Sequence, residues 1–346
     1  MDRTIKALVF TAAHQMETRQ FSLRACGRDE IVVKTRYSMV SPGTEMRVLA
    51  GKQSVGGDMP YFPLIPGYSI VGEVVEVGSE AEGWRVGDMV GGRNPSYEIP
   101  GIRATWGGHA SHHIYRVNSA YQPVFLPSGA RLIDYAAVEL AAIAHRGIRS
   151  AAPRAGETAI VLGQGMIGSM SAAWLVAAGV RVGVADLSES RLERARQLGV
   201  GATFQVKDEA LVGRIQAFTG GGADIVVESS GTLSGVRTAG SLLRSQAADV
   251  ADVSMRWPRL VFQASYSDEY LSSPGRLFKG EGAVVLTPGD RTVADRLASI
   301  EAFRSGALNS SAFSDKVLPI SEAASAYEGL RVNPDGYFSV VFDWSM

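Results

Sequence analysis

The 346-residue chain is long enough for two domains with a core each, and a formal net charge of −1 without a basic stripe gives no footprint for nucleic acid. Cys26, the sole cysteine, excludes an internal disulfide and any cysteine-built structural zinc site. The opening MDRTIKALVF lacks the long apolar core and cleavage site of a secretory signal, and the uncharged residues 158–180 carry the Gly, Ser and Gln of a buried strand and helix rather than a membrane span, so a soluble cytoplasmic protein with no membrane partner is expected.

Residues 1–120 read as β-rich. Strands are expected at 6–10, 30–37, 70–77 (IVGEVVEV), 87–91 and 109–117, with Gly and Pro in the intervals, as in an irregular antiparallel domain. Around 127–150 the pattern turns helical and rich in Ala. From Thr158 strands alternate with helices, at 158–162, 182–185, near 203–204, at 224–228 and at 260–264, which indicates an α/β fold with a doubly wound parallel sheet. Beyond about residue 282 that rhythm stops. Helices at 292–305 and 321–329 and a closing strand at 337–342 are expected to rejoin the first domain. The expected domains are therefore residues 1–134 with 285–346, and residues 135–284.

The stretch 158–186, TAIVLGQGMIGSMSAAWLVAAGVRVGVAD, organises the second domain. After the apolar strand, Gly163-Gln164-Gly165-Met166-Ile167-Gly168 opens a helix, and a second strand ends on Asp186. Gly163 suits a tight turn, Gly165 leaves the backbone open to a pyrophosphate, Gly168 lets the helix lie close to the strand, and the helix N-terminus faces the phosphate charge. Asp186 stands 18 residues after Gly168, where a carboxylate can accept from the adenosine ribose hydroxyls. A bland glycine turn for helix–strand packing is the alternative, and the strand–turn–helix–strand–acid context outweighs it. A carboxylate there repels a 2′-phosphate and favours NAD. NADP stays possible, because Arg191 and Arg194 follow closely, as phosphate partners or as solvated helix-face charges.

The first domain carries Ser41-Pro42-Gly43-Thr44-Glu45, Ile65-Pro66-Gly67-Tyr68, Val71-Gly72-Glu73-Val74 and Val86-Gly87-Asp88. Together with the GQGMIG turn, and in this order, these segments resemble the medium-chain dehydrogenase/reductase superfamily. The resemblance spans nearly the whole chain. It implies a GroES-like catalytic domain, a Rossmann domain, a nicotinamide cofactor in the cleft, a small-molecule substrate, and a homodimer or homotetramer. The SPGTE form resembles a threonine/sorbitol dehydrogenase-like group that includes bacteriochlorophyllide dehydrogenases and natural-product enzymes, which points to a specialised metabolite.

In the zinc-dependent branch of that family, the resemblance puts Pro42 at the cysteine ligand, Tyr68 at the histidine ligand and Ser69 at the neighbouring glutamate. Glu139 takes the place of the third ligand of the sorbitol dehydrogenase branch. A catalytic zinc needs three protein donors around an open position, and proline offers none, so no zinc is expected. Residues 91–106, where the family's structural-zinc lobe would lie, hold no cysteine. A replacement site from His109, His112, His113, His145, Glu45 and Glu139 is not expected either. His112 and His113 face opposite ways on a strand, and His109 and His113 lie roughly 13 Å apart along it.

Without a metal, the oxygen that gains or loses charge needs another partner. Tyr68 is the first candidate, by its O–H, although it could equally fill the space a metal site leaves. Thr44 resembles the family's proton-relaying hydroxyl, and Glu139 could orient one of these or act as a base. By the same resemblance, Ser229-Ser230-Gly231 lines the adenosine side, and residues 263–266, with Ala264 and Ser265, lie under the nicotinamide. Tyr266 and Tyr270 could face substrate or be ordinary surface aromatics. Residues 247–258, with Met255, Arg256 and Trp257, form a longer segment than the family uses, as a lid, an oligomer contact or a tolerated insertion. The resulting reading is a zinc-independent, NAD-dependent hydride transfer to or from a carbonyl or alcohol. Reduction of an activated C=C bond and cofactor binding without turnover are the alternatives.

Overall fold

A computed structural model of the chain describes residues 3–52, 62–93, 95, 99–103, 106–245, 257–266 and 282–346. It separates into two compact units, residues 1–140 with 296–346 and residues 141–295. The first unit begins with β1 (Arg3–Ala12), β2 (Gln15–Leu23), β3 (Glu30–Met39), α1 (Pro42–Leu49), β4 (Ser69–Val77), β5 (Met89–Gly92), β6 (His112–Arg116) and β7 (Val124–Phe125). The helix α2 (Val138–Ala151) leads into the second unit, so the division falls inside a helix rather than in a linker. The second unit runs β8 (Thr158–Leu162), α3 (Met166–Ala177), β9 (Arg181–Asp186), α4 (Glu189–Arg196), β10 (Ala202–Gln205), α5 (Leu211–Thr219), β11 (Ile225–Glu228), α6 (Leu233–Leu242), β12 (Arg259–Phe262) and β13 (Val284–Leu286). The return to the first unit consists of α7 (Val293–Ser305), which straddles the boundary, then β14 (Lys316–Pro319), α8 (Ala323–Val332) and β15 (Val340–Asp343).

The second unit is a six-stranded parallel sheet in the order β10-β9-β8-β11-β12-β13. The central strands β8, β11 and β12 are buried along their whole length, as expected where helices cover both faces of a parallel sheet, whereas the edge strand β13 is largely exposed. Alternate residues supply different cores: Ala159, Val161, Val182, Val184, Ile225 and Val227 pack on one side, Ile160, Leu162, Ala185, Val226, Leu260 and Phe262 on the other. From β8 the chain winds outward through β9 and β10, then returns to the other flank of β8 with β11. That reversal puts a crevice at the carboxyl ends of β8 and β11, where α/β sheets bind their ligands.

The first unit joins the β1–β2 ribbon to a sheet ordered β14-β15-β3-β4-β5-β7, with β6 also paired to β3. At one end of this sheet Met39 of β3 stands opposite Ser69 of β4, and Ile70 of β4 stands opposite Gly92 of β5. The register therefore gathers residues 40–45, 67–69 and 93 at one edge. Gly72 allows the strands to approach there, since a Cβ at that position would lie 2.2 Å from the Lys34 carbonyl.

Several elements were not expected from the sequence, among them β2, α1, β7, β13 and β14. The strand β2 is almost wholly exposed (QMETRQFSL), so it has no apolar alternation to read. The helix α1 has eight residues and a Pro-Gly start, and β14 is a four-residue strand. Among the described residues, no helix is long and apolar enough to cross a membrane.

Candidate active site

The glycine turn of the second unit sits at the crevice between β8 and β11. Gly163 has φ of 86°, and a Cβ there would lie 2.8 Å from the Ser230 amide nitrogen. At Gly168 a Cβ would come within 1.8 Å of the Gly163 carbonyl oxygen, so this glycine closes the turn on itself as well as on the helix. Gly165, the N-cap of α3, faces open space, with nothing within 4 Å of a hypothetical Cβ. Met166 and Ile167 then begin the helix, and their amides belong to its N-terminal set without intrahelical acceptors. An approach open at Gly165 and closed at Gly163 and Gly168 fits a dinucleotide pyrophosphate.

Asp186, buried at the end of β9, has a role beyond the expected one. Its Oδ2 accepts from the Gln164 amide at 2.6 Å and its Oδ1 from the Ser188 amide at 2.8 Å, which ties the glycine turn to the next strand. Each carboxylate oxygen retains acceptor capacity for a ribose hydroxyl. Arg191 is half-buried in the first turn of α4, its amide donating to the Ser188 N-cap hydroxyl at 3.3 Å.

Across the crevice, Ser229 donates its amide to the Leu162 carbonyl at 2.8 Å. The following loop is held by Glu228, a fully buried carboxylate that sequence reading passed over. It accepts from the Ser230 amide at 2.9 Å, from the Gly231 amide at 3.2 Å, and from the hydroxyls of Ser230 and Tyr266. The half-buried Tyr266 thus has its hydroxyl bound to Glu228. Burial, with the Glu228 charge beside it, pushes the Tyr266 phenol far up and keeps it a neutral donor. An acid at a strand end just before Ser-Ser-Gly was the available signal. Gln263 donates its amide to the Glu228 carbonyl at 2.9 Å, with Ala264 half-buried and Ser265 exposed beyond it. Tyr270 and residues 247–256 lie outside the described residues. Trp257 is exposed and packs on Gly282.

In the first unit, Ser41 stands at the N-cap position of α1 without a side-chain cap hydrogen bond, and Pro42 takes the first turn, where a missing N–H costs nothing. Thr44 is half-buried in that turn. Glu45 reaches back to the Ser41 amide at 2.7 Å, accepts the Tyr327 hydroxyl at 2.5 Å, and lies 3.2 Å from His109 Nε2. His109 Nδ1 bonds Ser38 Oγ at 2.8 Å, and that hydroxyl also accepts from Trp344 at 2.8 Å. Burial and the Glu45 charge raise the Tyr327 phenol well above its ordinary range, so it too stays a donor. Gly67, with φ of 104°, lies so close to His109 that a Cβ would meet its amide at 2.3 Å. The next residue, half-buried Tyr68, packs against Trp106 with ring centroids 5.8 Å apart.

Ser69 is buried and donates to the Ala136 carbonyl at 2.8 Å, which ties the start of β4 to the approach to α2. Glu139, on the first turn of α2, is fully buried between two arginines. Arg93 Nε lies 3.5 Å from its Oε2, and Arg296 Nη1 lies 3.7 Å from its Oε1. Neither arginine was foreseen, because ion pairs over such sequence separations leave no local pattern.

The residues that the motif resemblance aligns with the family's zinc ligands do not have the chemistry to hold the metal. Proline has no donor, a neutral phenol is a poor one, and Glu139 already faces two guanidinium groups. Among the described residues, no group of three or more His, Cys, Asp or Glu could hold a metal ion. His112 and His113 are neutral on β6: burial lowers them to about 4 and about 3, with Arg3 and Lys34 adding to the shift at His112. His145 belongs to the second unit, where its Nδ1 contacts Asp295 Oδ1 at 2.8 Å.

A model of the zinc-binding dehydrogenase family matches residues 167–260, and one of the alcohol dehydrogenase GroES-like domain matches residues 27–122. The 2-dehydro-3-deoxy-L-galactonate 5-dehydrogenase of Pseudoalteromonas atlantica is 28% identical over 319 residues, 86% of this chain and 87% of its own. The (R,R)-butanediol dehydrogenase of Bacillus subtilis is 32% identical over 58% of this chain and 64% of its own. In fold, the crystal structure of 2R,3R-butanediol dehydrogenase from Bacillus subtilis matches with a TM-score of 0.82 at 19% identity, covering 98% of this chain and 99% of its own. A short chain alcohol dehydrogenase (rspB) from Escherichia coli CFT073, solved with NADH, also scores 0.82, at 16% identity over 99% of each chain. At these identities the structural likeness establishes the fold alone. The two family models together cover more than half of the sequence, in the order in which the GroES-like and Rossmann units occur, and the chain belongs to the medium-chain dehydrogenase/reductase superfamily of oxidoreductases.

Proposed function

We propose that this oxidoreductase works without zinc, moving hydride between NAD(H) and a carbonyl or alcohol of a small substrate, with Tyr68 and Thr44 serving the substrate oxygen. One observation carries the reading. The glycine turn leaves open room for a dinucleotide pyrophosphate, and the three residues that the resemblance assigns to the zinc ligands are a proline, a phenol and a Glu139 already facing two arginines, which supports a centre without metal. The nicotinamide, when bound, supplies or accepts the hydride. The chain's own task is then the proton. In the reducing direction the Tyr68 hydroxyl donates to the substrate oxygen, and Thr44 passes a replacement proton on. Asp186 supports NAD over NADP, because its carboxylate, already holding two amides of the turn and its neighbour, opposes a 2′-phosphate.

The names of the relatives favour a substrate carrying hydroxyls, such as a sugar acid or a diol, and a specialised metabolite fits the same class. The exposed edge strand β13, with Val284 and Val285 41% and 42% accessible, supports self-association, which a light-scattering mass would test. The same absence of metal donors favours a second reading, reduction of an activated C=C bond, which needs only a proton donor near the carbonyl.

Assays with reduced cofactor and paired ketone and enone substrates decide between the readings. Reduction of the ketone is expected, and saturation of the enone with its carbonyl intact would give the second reading the lead. On the substrate that turns over, Tyr68→Phe and Thr44→Ala are each expected to lower kcat by roughly 10²-fold or more. Unchanged turnover in both would remove these residues from the mechanism.

A further inference from the structure

We propose that two guanidinium groups, those of Arg93 and Arg296, have taken over the charge that a divalent metal would bring to Glu139, so that this edge of the first unit is built as a metal-free centre. The inference rests on the zinc-independent reading above and deepens it.

A carboxylate fully removed from water needs a cation beside it. Among the described residues, a guanidinium lies beside each Glu139 oxygen, and both are buried: the Arg93 side chain is 7% accessible and that of Arg296 3%. Neither is a wandering surface group. The Arg93 guanidinium lies over the Tyr121 ring at 5.1 Å, and Arg296 Nη1 donates to the Gln122 carbonyl at 2.8 Å. Two neighbouring residues of one loop thus anchor both cations.

The register explains why this happens at the metal position. Arg93 directly follows Gly92, whose partner is Ile70, so it extends β5 to the level of Ser69 and stands one residue from that of Tyr68. Ser69 in turn reaches Ala136, which lies just before α2 and Glu139. Pro42 and Tyr68 remove two donors, and without a metal Glu139 would be a buried, uncompensated anion. The arginines solve that problem, and they also oppose any divalent cation brought to the same place. Glu139 is accordingly a positioning residue, with its carboxylate engaged in ion pairs rather than in proton abstraction.

The test restores the donors and then removes the arginines. Pro42→Cys/Tyr68→His should retain substoichiometric zinc after dialysis while Arg93 and Arg296 remain. Adding Arg93→Leu and Arg296→Leu should raise retention towards about one zinc per chain, with a tetrahedral visible spectrum when cobalt is the probe. Stoichiometric zinc in the donor-restored variant with both arginines in place would overturn the proposal, as would failure of their removal to admit the metal. A thermal cycle guards against variants that fold poorly. Arg93→Met alone should lower Tm by about 5 °C, and Arg93→Met/Glu139→Gln should recover most of that loss. Simply additive losses would contradict the pairing. Zinc in the wild-type protein would instead sink the reading of the previous section, so the two failures are distinguishable.

Discussion

His113 shows how a single buried side chain sets a pH dependence. Desolvation holds its folded value near 3, against an ordinary 6.5, and the neighbouring His112 adds to the shift. The unfolded chain binds a proton that the folded one refuses, so stability is complete above pH 6.5 and falls as pH drops from there towards 3. This one residue contributes about 1.4 kcal/mol of loss per pH unit inside that window. Denaturant unfolding of wild type and His113→Leu at about pH 7, 6 and 5 is expected to show a smaller loss in the variant, the remainder belonging to His112, which burial also lowers, to about 4. Parallel curves would contradict the assignment. In the sequence His113 was legible only as a histidine on a strand. Its burial comes from the pairing of β6 with β3, which no local pattern records.

At the scale of an element, the glycine turn before α3 makes identical substitutions diverge. Gly168→Ala forces a methyl to 1.8 Å from the Gly163 carbonyl, so the turn must open and the second unit lose stability by several kcal/mol. Gly165→Ala meets no atom within 4 Å and adopts an ordinary φ of −70°, so the protein should keep its Tm. Its methyl would instead project where the pyrophosphate approaches, and NAD affinity should fall by roughly tenfold or more. Differential scanning calorimetry and NAD titration separate the two effects. Equal loss of Tm in both variants would mean that the turn serves packing alone. The turn was legible because its chemistry is local: strand, glycines, helix and acid lie within one stretch of chain. The clamps that hold it were less so. Asp186 was read as a ribose acceptor and also binds the Gln164 amide, and Glu228 went unread although it gathers the Ser230, Gly231 and Tyr266 donors.

Across the whole molecule, alternation of strand and helix was enough to separate a parallel, doubly wound sheet from a β-rich unit closed by the C-terminal residues. That follows from physics acting over short range: strands covered on both faces are apolar throughout, and their order is punctuated by Gly and Pro. The edge formed by residues 40–45, 67–69 and 93 was legible only as a set of substitutions in familiar motifs. Pro42 and Tyr68 announce what the site lacks, whereas the partners of Glu139 come from residues 93 and 296, far apart in sequence. The same holds for Glu45, which meets Tyr327 and His109 from opposite parts of the first unit.

The central claim, that an intact nucleotide cradle serves a centre without a metal, is tested most directly by measuring the zinc-to-protein ratio and NAD-dependent turnover on the same wild-type sample, before and after chelation. Substoichiometric zinc with turnover unchanged by the chelator is the predicted result. A full equivalent of zinc per chain, with activity lost when it is stripped and regained when it returns, would contradict the account.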